Sequence, residues 1–281
     1  MKLGLLVASL LAVLVGCQQK PTKIVTQEPV IGENITAERL MKDNPVILDA
    51  RPSFEFNLAH VPGAINVRWE DFSQQNPKSR GLLQPDLFAL ARRLSLIGVD
   101  PQTKVLVLGK GPQGAGEEGR VAWTLKVLGV KEVYTVLHTS YREMNPTKEA
   151  PLVQNKPYWK PDVAETLTTD FKDFKNLVSK VDNSVVVIDV RSAQEYALRN
   201  LSQIKDVKAS VINVNWTEFF GEKGLPDKKI ERALYEKNIS KDTKILVISN
   251  HGVRSGAVTY ALNFLGYKKA SNFAGGYEQW K

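Results

Sequence analysis

The sequence VILDAR at residues 46–51 returns as VVIDVR at residues 186–191, an offset of 140 residues. Both copies are runs of apolar, mostly β-branched residues around an Asp, a pattern typical of a buried parallel strand. Other pairs follow in the same order: INV at 65–67 and 212–214, TKVLV at 103–107 and TKILV at 243–247, and LG at 128–129 and 265–266. Repeated landmarks in one order predict a duplicated domain.

Length and composition agree with two globular domains. A chain of 281 residues, 43% hydrophobic and 24% charged, is too long for one typical domain, and its composition excludes wholesale disorder and fibrous architectures. We place an N-terminal domain at 33–150, a linker at 151–165 and a C-terminal domain at 166–281. The first domain carries 15 basic and 14 acidic residues and the second 18 and 13, so we expect attraction for anions in the second.

The residue types argue against several classes of site. A single cysteine excludes an intramolecular disulfide, and with only three histidines it argues against a Cys/His metal centre. We therefore expect no metal and no cofactor. Because no basic stretch is interleaved with aromatic residues, we expect no nucleic-acid partner.

Each copy alternates short strands with amphipathic helices. Residues 85–97 (PDLFALARRLSLI) place apolar side chains at three- and four-residue spacing, with Arg92 and Arg93 facing outward. Strands at 104–108 and 244–248 each lead through a glycine-bearing loop into a helix. The pattern predicts an α/β fold in which each domain has a central, mostly parallel sheet flanked by helices. Ligands bind at the carboxyl ends of such strands, so we look for function in the loops after residues 108 and 248.

The N-terminus has the features of a targeting segment. Lys2 precedes an apolar run of 13 residues (3–15), shorter than the about 20 residues that a bilayer-spanning helix needs. The run ends in LVGC at 14–17, which resembles the lipobox of bacterial lipoproteins. The resemblance implies a signal peptide at 1–16, attachment of Cys17 to membrane lipid and a lipidated tether at 17–32. Since Gln18 follows the cysteine, it also implies the outer membrane, facing the periplasm; the alternative is a secretory signal with a chance cysteine.

Two longer motifs carry a family resemblance. The stretch LDARPSFEFNLAHVPGAINV (48–67) and the stretch GVRSGAVTYALNFLGYKKASNFAGGYEQW (252–280) resemble elements of tandem rhodaneses, the thiosulfate and 3-mercaptopyruvate sulfurtransferase family. The resemblance covers the chain from about residue 34 to residue 281. It implies two rhodanese-like domains and, for a complete active site, transfer of sulfane sulfur.

The loop after residue 248 departs from the family pattern. The family's loop begins with the nucleophile as Cys-x-x-Gly-x-Arg-Ser, whereas residues 249–255 read SNHGVRS, so Ser249 stands at the cysteine position. Sulfur transfer passes through a persulfide, which needs a soft thiolate that a serine hydroxyl cannot replace. We therefore assign no catalytic residue and expect a degenerate member of the family.

The same loop keeps the features of an anion site. Successive backbone N–H groups that lead into a helix N-terminus bind anions through fixed partial charges, and an arginine adds a full charge. The predicted anion-binding residues are Ser249, Asn250, His251, Gly252, Val253, Arg254 and Ser255. The alternative is a loop that keeps its shape only because a helix must start there.

The sequence argues against a dinucleotide site and against a hydrolase site in these loops. The stretch GKGPQGAGEEG at 109–119 contains the G-x-G-x-x-G pattern, but its proline removes an amide and its two glutamates would repel a pyrophosphate, so we reject a dinucleotide site. We interpret it as a mobile loop that contacts the other domain or a partner. Ser249 and His251 are two residues apart on one tight loop, which places them poorly for a hydrolase pair.

Several further polar and aromatic residues are interpreted as structural. Asp49, Arg51, Asp189 and Arg191 are expected to pair at strand ends, His60 to brace a turn, and Trp69, Trp123 and Trp216 to lie in the core.

Three hypotheses of function remain open. The first is a membrane-anchored module of the cell envelope that binds a small anion or an acidic protein partner. The second is an active sulfurtransferase that uses a route without a loop cysteine. The third is a mainly structural envelope protein.

Overall fold

A computed structural model describes residues 35–280 of the chain, within the unit Asn34–Lys281. The predicted signal peptide, tether and lipidation residue Cys17 lie outside the described residues. Within them, the first domain contains helices α1 (Ala37–Lys42), α2 (Ser53–Leu58), α3 (Leu87–Leu96) and α4 (Glu117–Val127). The second contains α5 (Phe171–Val178), α6 (Ala193–Leu198), α7 (Lys229–Glu236), α8 (Val253–Phe264) and α9 (Gly276–Gln279).

Each domain is built on a four-stranded parallel sheet. The strands are β1 (Val46–Asp49), β2 (Ile65–Asn66), β3 (Lys104–Gly109), β4 (Glu132–Leu137), β5 (Val185–Asp189), β6 (Ser210–Asn213), β7 (Lys244–Ile248) and β8 (Ala270–Asn272). Their spatial orders are β2-β1-β3-β4 and β6-β5-β7-β8, so the two sheets share one topology. The predicted α/β fold with a parallel sheet in each copy is therefore confirmed.

The register explains why the repeated motif matters. Asp49 ends β1 opposite Leu108 of β3, and Asp189 ends β5 opposite Ile248 of β7. Both Asp residues thus lie at the carboxyl edge of a sheet, next to the loop that follows the neighbouring strand. The fold places the two predicted loops at equivalent positions in the two domains.

The helix at 85–97 begins slightly later than its sequence pattern predicts. Asp86 is the N-cap of α3, and its carboxylate accepts a hydrogen bond from the Ala89 amide. Pro85 therefore precedes the cap instead of occupying the first turn. Arg92 and Arg93 are exposed as expected, since Leu90 and Leu94 face the core.

Helices α4 and α8 form the centre of the contact between the domains. Gly119 allows this approach, because a Cβ atom there would lie 2.5 Å from the Ala257 Cβ. The Tyr260 hydroxyl crosses the contact and donates to the Val133 carbonyl at 2.9 Å. The first turns of both helices lie at this contact, because a Cβ atom on Gly116, the residue before α4, would lie 3.6 Å from the Arg254 Cα in the first turn of α8.

Residues 151–165, the predicted linker, contain no strand or α-helix among the residues described. The segment nevertheless packs on the first domain, where the Lys156 amide donates to the Ser95 carbonyl and the Trp159 indole donates to the Val99 carbonyl. Between residues 35 and 280, none of the helices is both long and apolar enough to cross a bilayer.

Candidate functional site

The second-domain loop begins directly after β7. Ser249, at the family's cysteine position, is 1% exposed. Its Oγ lies 3.0 Å from the Ser255 Oγ and accepts a hydrogen bond from the Ser255 amide at 3.3 Å. The structure therefore brings the first and last residues of the predicted site together at the base of the loop. Among the described residues the hydroxyl has no hydrogen bond to His251, so the two do not form a Ser–His pair.

The backbone amides of this loop are the second feature of the site. Gly252 caps α8 in the left-handed region at φ 81°, and a Cβ atom there would lie 2.4 Å from the Ala274 carbonyl oxygen. No hydrogen bond among the described residues uses the amides of residues 250–253 as donors. We call residues 249–253 the nest, because free N–H groups at the start of a helix, here a 12-residue helix, can bind oxyanions.

Arg254 does not offer a free charge to the nest. Its guanidinium donates to both carboxylate oxygens of Glu195, at 2.7 and 2.8 Å, and the Asn250 side-chain amide donates to the same carboxylate at 2.8 Å. The hydrogen bonds from Arg254 are the main reason that the pKa of Glu195 is lowered to about 2. The expected full positive charge is thus compensated at neutral pH.

Glu195 is a site residue that the sequence reasoning missed. Its signal was present, because Glu195 follows Arg191 by four residues just as Glu55 follows Arg51. Glu55 has a similar role in the first domain, because its carboxylate accepts a hydrogen bond from Lys110 of the first-domain loop at 2.8 Å. In each domain this carboxylate holds a cation of the adjacent loop or helix start.

The first domain covers the second-domain loop with a strap, residues 73–83, whose ends pair at Ser73 and Leu83. Within the strap, a Cβ atom on Gly81 would lie 2.2 Å from the His251 carbonyl oxygen. The neighbouring Arg80 forms an ion pair with Glu278 at 2.5 Å and lies 3.4 Å from the His251 Nδ1. Burial, followed by the charge of Arg80, lowers the pKa of His251, which favours the neutral imidazole.

The first-domain loop is organised differently. Glu118, two residues after the left-handed Gly116, occupies the helix position that Arg254 has after Gly252. Its Oε1 accepts a hydrogen bond from the Gly111 amide at 2.9 Å, whereas Oε2 is buried without a partner among the described residues. Burial raises the pKa of Glu118 to about 7. A carboxyl group of the chain itself thus accepts a backbone amide of this loop.

The same arrangement bears on two expectations for residues 109–119. A pyrophosphate at the start of α4 would meet the side chain of Glu118, in agreement with the rejection of a dinucleotide site. Gly116 lies next to Ala257 of the other domain, so the loop does contact that domain, as expected. Its predicted mobility stays a prediction.

The two Asp-x-Arg elements are structural, as predicted. Arg51 binds Asp49 through both carboxylate oxygens and also donates to the Ala59 carbonyl. Arg191 repeats this with Asp189, and its guanidinium also lies 3.8 Å from the centre of the Tyr277 ring. All four charged groups are buried and each arginine is paired with its aspartate, which is the structural role that the sequence predicts.

The remaining predicted residues lie close to their expected places. His60 is buried, with its two ring nitrogens 2.9 and 3.0 Å from the carbonyls of Phe56 and Glu149. Trp123 and Trp216 are core residues, whereas Trp69 is only partly buried: it packs against the edge of the core, and its ring lies 5.8 Å from that of His251. From residue 35 to residue 280 no group of three His, Cys, Asp or Glu side chains could hold a metal ion.

Comparison with known proteins agrees with this architecture. The profile of the Rhodanese-like domain matches residues 34–145 and 170–281. The 3-mercaptopyruvate sulfurtransferase of Escherichia coli (strain K12) is 23% identical over 277 residues, which cover 89% of this chain and 94% of that protein.

Solved structures show the same fold. The crystal structure of the 3-mercaptopyruvate sulfotransferase SseA from Escherichia coli is 23% identical and has a TM-score of 0.67, covering 84% of this chain and 94% of that one. A probable thiosulfate sulfurtransferase is 18% identical with a TM-score of 0.59, covering 85% of this chain and 94% of that one.

Proposed function

The chain belongs to the rhodanese-like family, and on that premise we propose that it is a catalytically degenerate member whose second-domain loop binds a small oxyanion or an acidic side chain of a partner protein. We further propose that Cys17 attaches it to the membrane of the cell envelope, the outer membrane facing the periplasm. The observation that carries the proposal is the hydroxyl of Ser249 at the base of an otherwise intact nest.

The chemistry of the hydroxyl supports the loss of sulfur transfer. A family nucleophile must attack the outer sulfur of thiosulfate as a thiolate, form an S–S bond and release sulfite. The Ser249 oxygen is hydrogen-bonded to Ser255 and is far less acidic than a thiol. Cys17 is the one cysteine of the chain, and it lies in the proposed lipid-bearing segment, far along the sequence from the loop.

The backbone of the loop supports retention of anion binding. The free amides of residues 250–253 and the dipole of α8 do not depend on the residue type at position 249. A carboxylate, sulfate or phosphate group would satisfy these donors without covalent chemistry. We therefore propose that the site binds an anion without catalysing a reaction on it.

The decisive assay compares wild-type protein with Ser249→Cys in the thiosulfate–cyanide reaction. We expect no turnover by the wild type, whereas the variant should gain the mass of one sulfur atom after exposure to thiosulfate and lose it to cyanide. Ser255→Cys is the matched control, because it places a thiol on the same loop but not at the nucleophile position. Turnover by the wild type would overturn the proposal in favour of an active sulfurtransferase.

Anion binding is tested by titrating the mature protein with sulfate, thiosulfate and phosphate. We expect saturable binding at millimolar concentrations, followed through the amide resonances of residues 250–253. If none of the three anions binds, the proposed small-anion function is wrong.

The lipid anchor is tested with Cys17→Ser. We expect this variant to remain an uncleaved or soluble precursor, and normal processing and membrane attachment of the variant would refute the proposed anchor.

A further inference from the structure

Arg120 is a fully buried charged side chain that contacts the second-domain loop, although it belongs to α4 of the first domain. It is 0% exposed. Its guanidinium donates to the Gly252 carbonyl at 3.0 Å, to the Gly81 carbonyl at 2.7 Å and to the Ser73 hydroxyl at 3.3 Å. One side chain therefore joins the first-domain helix, the strap and the second-domain loop.

No carboxylate compensates this charge among the described residues. Arg120 takes part in none of their ion pairs, and its Nε is buried without a hydrogen-bond partner. The ring of Trp123, 4.4 Å from the guanidinium carbon, offsets part of the cost through a cation–π interaction. Burying a cation without a counter-ion is costly, so an anion that binds within reach of its field would be stabilised.

The contact with Gly252 directs this charge toward the nest. The Gly252 carbonyl also accepts from the Asn272 side-chain amide at 3.3 Å and from the Gly256 amide at 3.1 Å. The Gly252 carbonyl and the Val253 N–H belong to the same trans peptide and therefore point in opposite directions. The three donors that hold the carbonyl thus also hold the Val253 N–H, which points away from them. A charged donor on the carbonyl also polarises the amide and makes it a stronger donor.

We propose that Arg120 is the positioning residue that sets the anion affinity of the second-domain loop, so that a site built from one domain depends on a cation supplied by the other. This inference rests on the proposed function. Arg254 cannot take this role while it is paired with Glu195, whereas no carboxylate of residues 35–280 neutralises the charge of Arg120.

The test measures sulfate affinity by calorimetry for Arg120→Gln and Arg120→Lys. We expect affinity about tenfold lower for Arg120→Gln, because a charge-assisted hydrogen bond is lost, and a rescue to within about threefold of wild type for Arg120→Lys. Arg92→Gln is the matched control, since it removes one positive charge of the first domain from an exposed side chain of α3 that packs on Tyr158, away from the second-domain loop. We expect its affinity to stay within about twofold of wild type, because exposed charges are screened.

A second measurement uses the wild-type protein and decides the matter if the variants do not fold. The buried Nε–H of Arg120 should give a slowly exchanging ¹⁵N resonance that shifts with sulfate at the same midpoint as the Val253 amide. A shift of Val253 without a shift of Arg120, or equal affinities for wild type and Arg120→Gln, would overturn this inference and leave the proposed function standing. If neither resonance shifts, the proposed function itself fails.

Discussion

The buried carboxyl group of Glu118 makes a quantitative prediction about stability. Its pKa is 4.5 in an unfolded chain and about 7 in the folded protein, with burial as the main cause. Between these values the folded state binds more protons than the unfolded state, so the free energy of unfolding falls as pH rises. The loss is about 1.4 kcal/mol per pH unit and about 3 kcal/mol over the whole window. Below the window the penalty is absent, and above it the penalty is complete.

Glu118→Gln removes this titration while keeping an oxygen that can accept from the Gly111 amide. We therefore expect the free energy of unfolding of the variant, relative to wild type, to increase by about 3 kcal/mol as pH rises through the window. Urea unfolding followed by tryptophan fluorescence at several pH values measures it. The glutamine side chain adds two N–H groups whose effect on the free energy of unfolding does not change with pH. This effect cancels because only the pH-dependent part of the difference is compared.

A matched control is Glu132→Gln, since Glu132 is exposed at the start of β4. Its free energy of unfolding should follow that of the wild type at every pH. The reasoning is refuted if the difference between Glu118→Gln and wild type does not change with pH, because the carboxyl group would then ionise equally in both states.

Three further changes test the second domain. Glu195→Ala frees the guanidinium of Arg254, and we expect sulfate affinity by calorimetry to rise about threefold to tenfold; unchanged affinity would show that Arg254 cannot reach the anion. Asp189→Ala leaves Arg191 buried without its partner, and urea unfolding should show a loss of about 3–5 kcal/mol. A loss well under 1 kcal/mol would contradict the structural role of this pair. Gly252→Ala puts a Cβ on a left-handed residue at φ 81°, so we expect both a lower Tm and loss of sulfate binding; normal binding would refute the nest.

The fold could be predicted from the sequence because its signals are local. The strands β1 and β5 are short β-branched runs, and their repetition at one offset predicts both the duplication and the shared topology. The start of α3 differed because the Asp86 carboxylate caps the helix, which a proline one residue earlier obscures. Hydrophobic periodicity alone does not separate a cap from a first turn.

The candidate site was predictable only in its backbone. A glycine followed by a helical pattern, as at Gly252, predicts free backbone amides in this loop, because the first turn of any helix leaves N–H groups unpaired. The partners of the charged side chains come from distant parts of the chain, since Arg254 meets Glu195 of α6 and Arg120 of α4 reaches Gly252. No local pattern encodes these distances, and so the compensated charge of Arg254 and the buried charge of Arg120 become visible only in three dimensions.

The two loops differ in length and sequence, and the difference between Glu118 and Arg254 at equivalent helix positions bears on how many anions the chain can hold. Glu118 gives the first-domain loop an internal acceptor for its Gly111 amide, whereas the amides of residues 250–253 in the second-domain loop have no acceptor among the described residues. An added anion would compete with the Glu118 carboxyl group for the Gly111 amide in the first domain but would meet free donors in the second. We therefore expect one sulfate per chain by calorimetry, and a stoichiometry of two would mean that Glu118 does not hold its place.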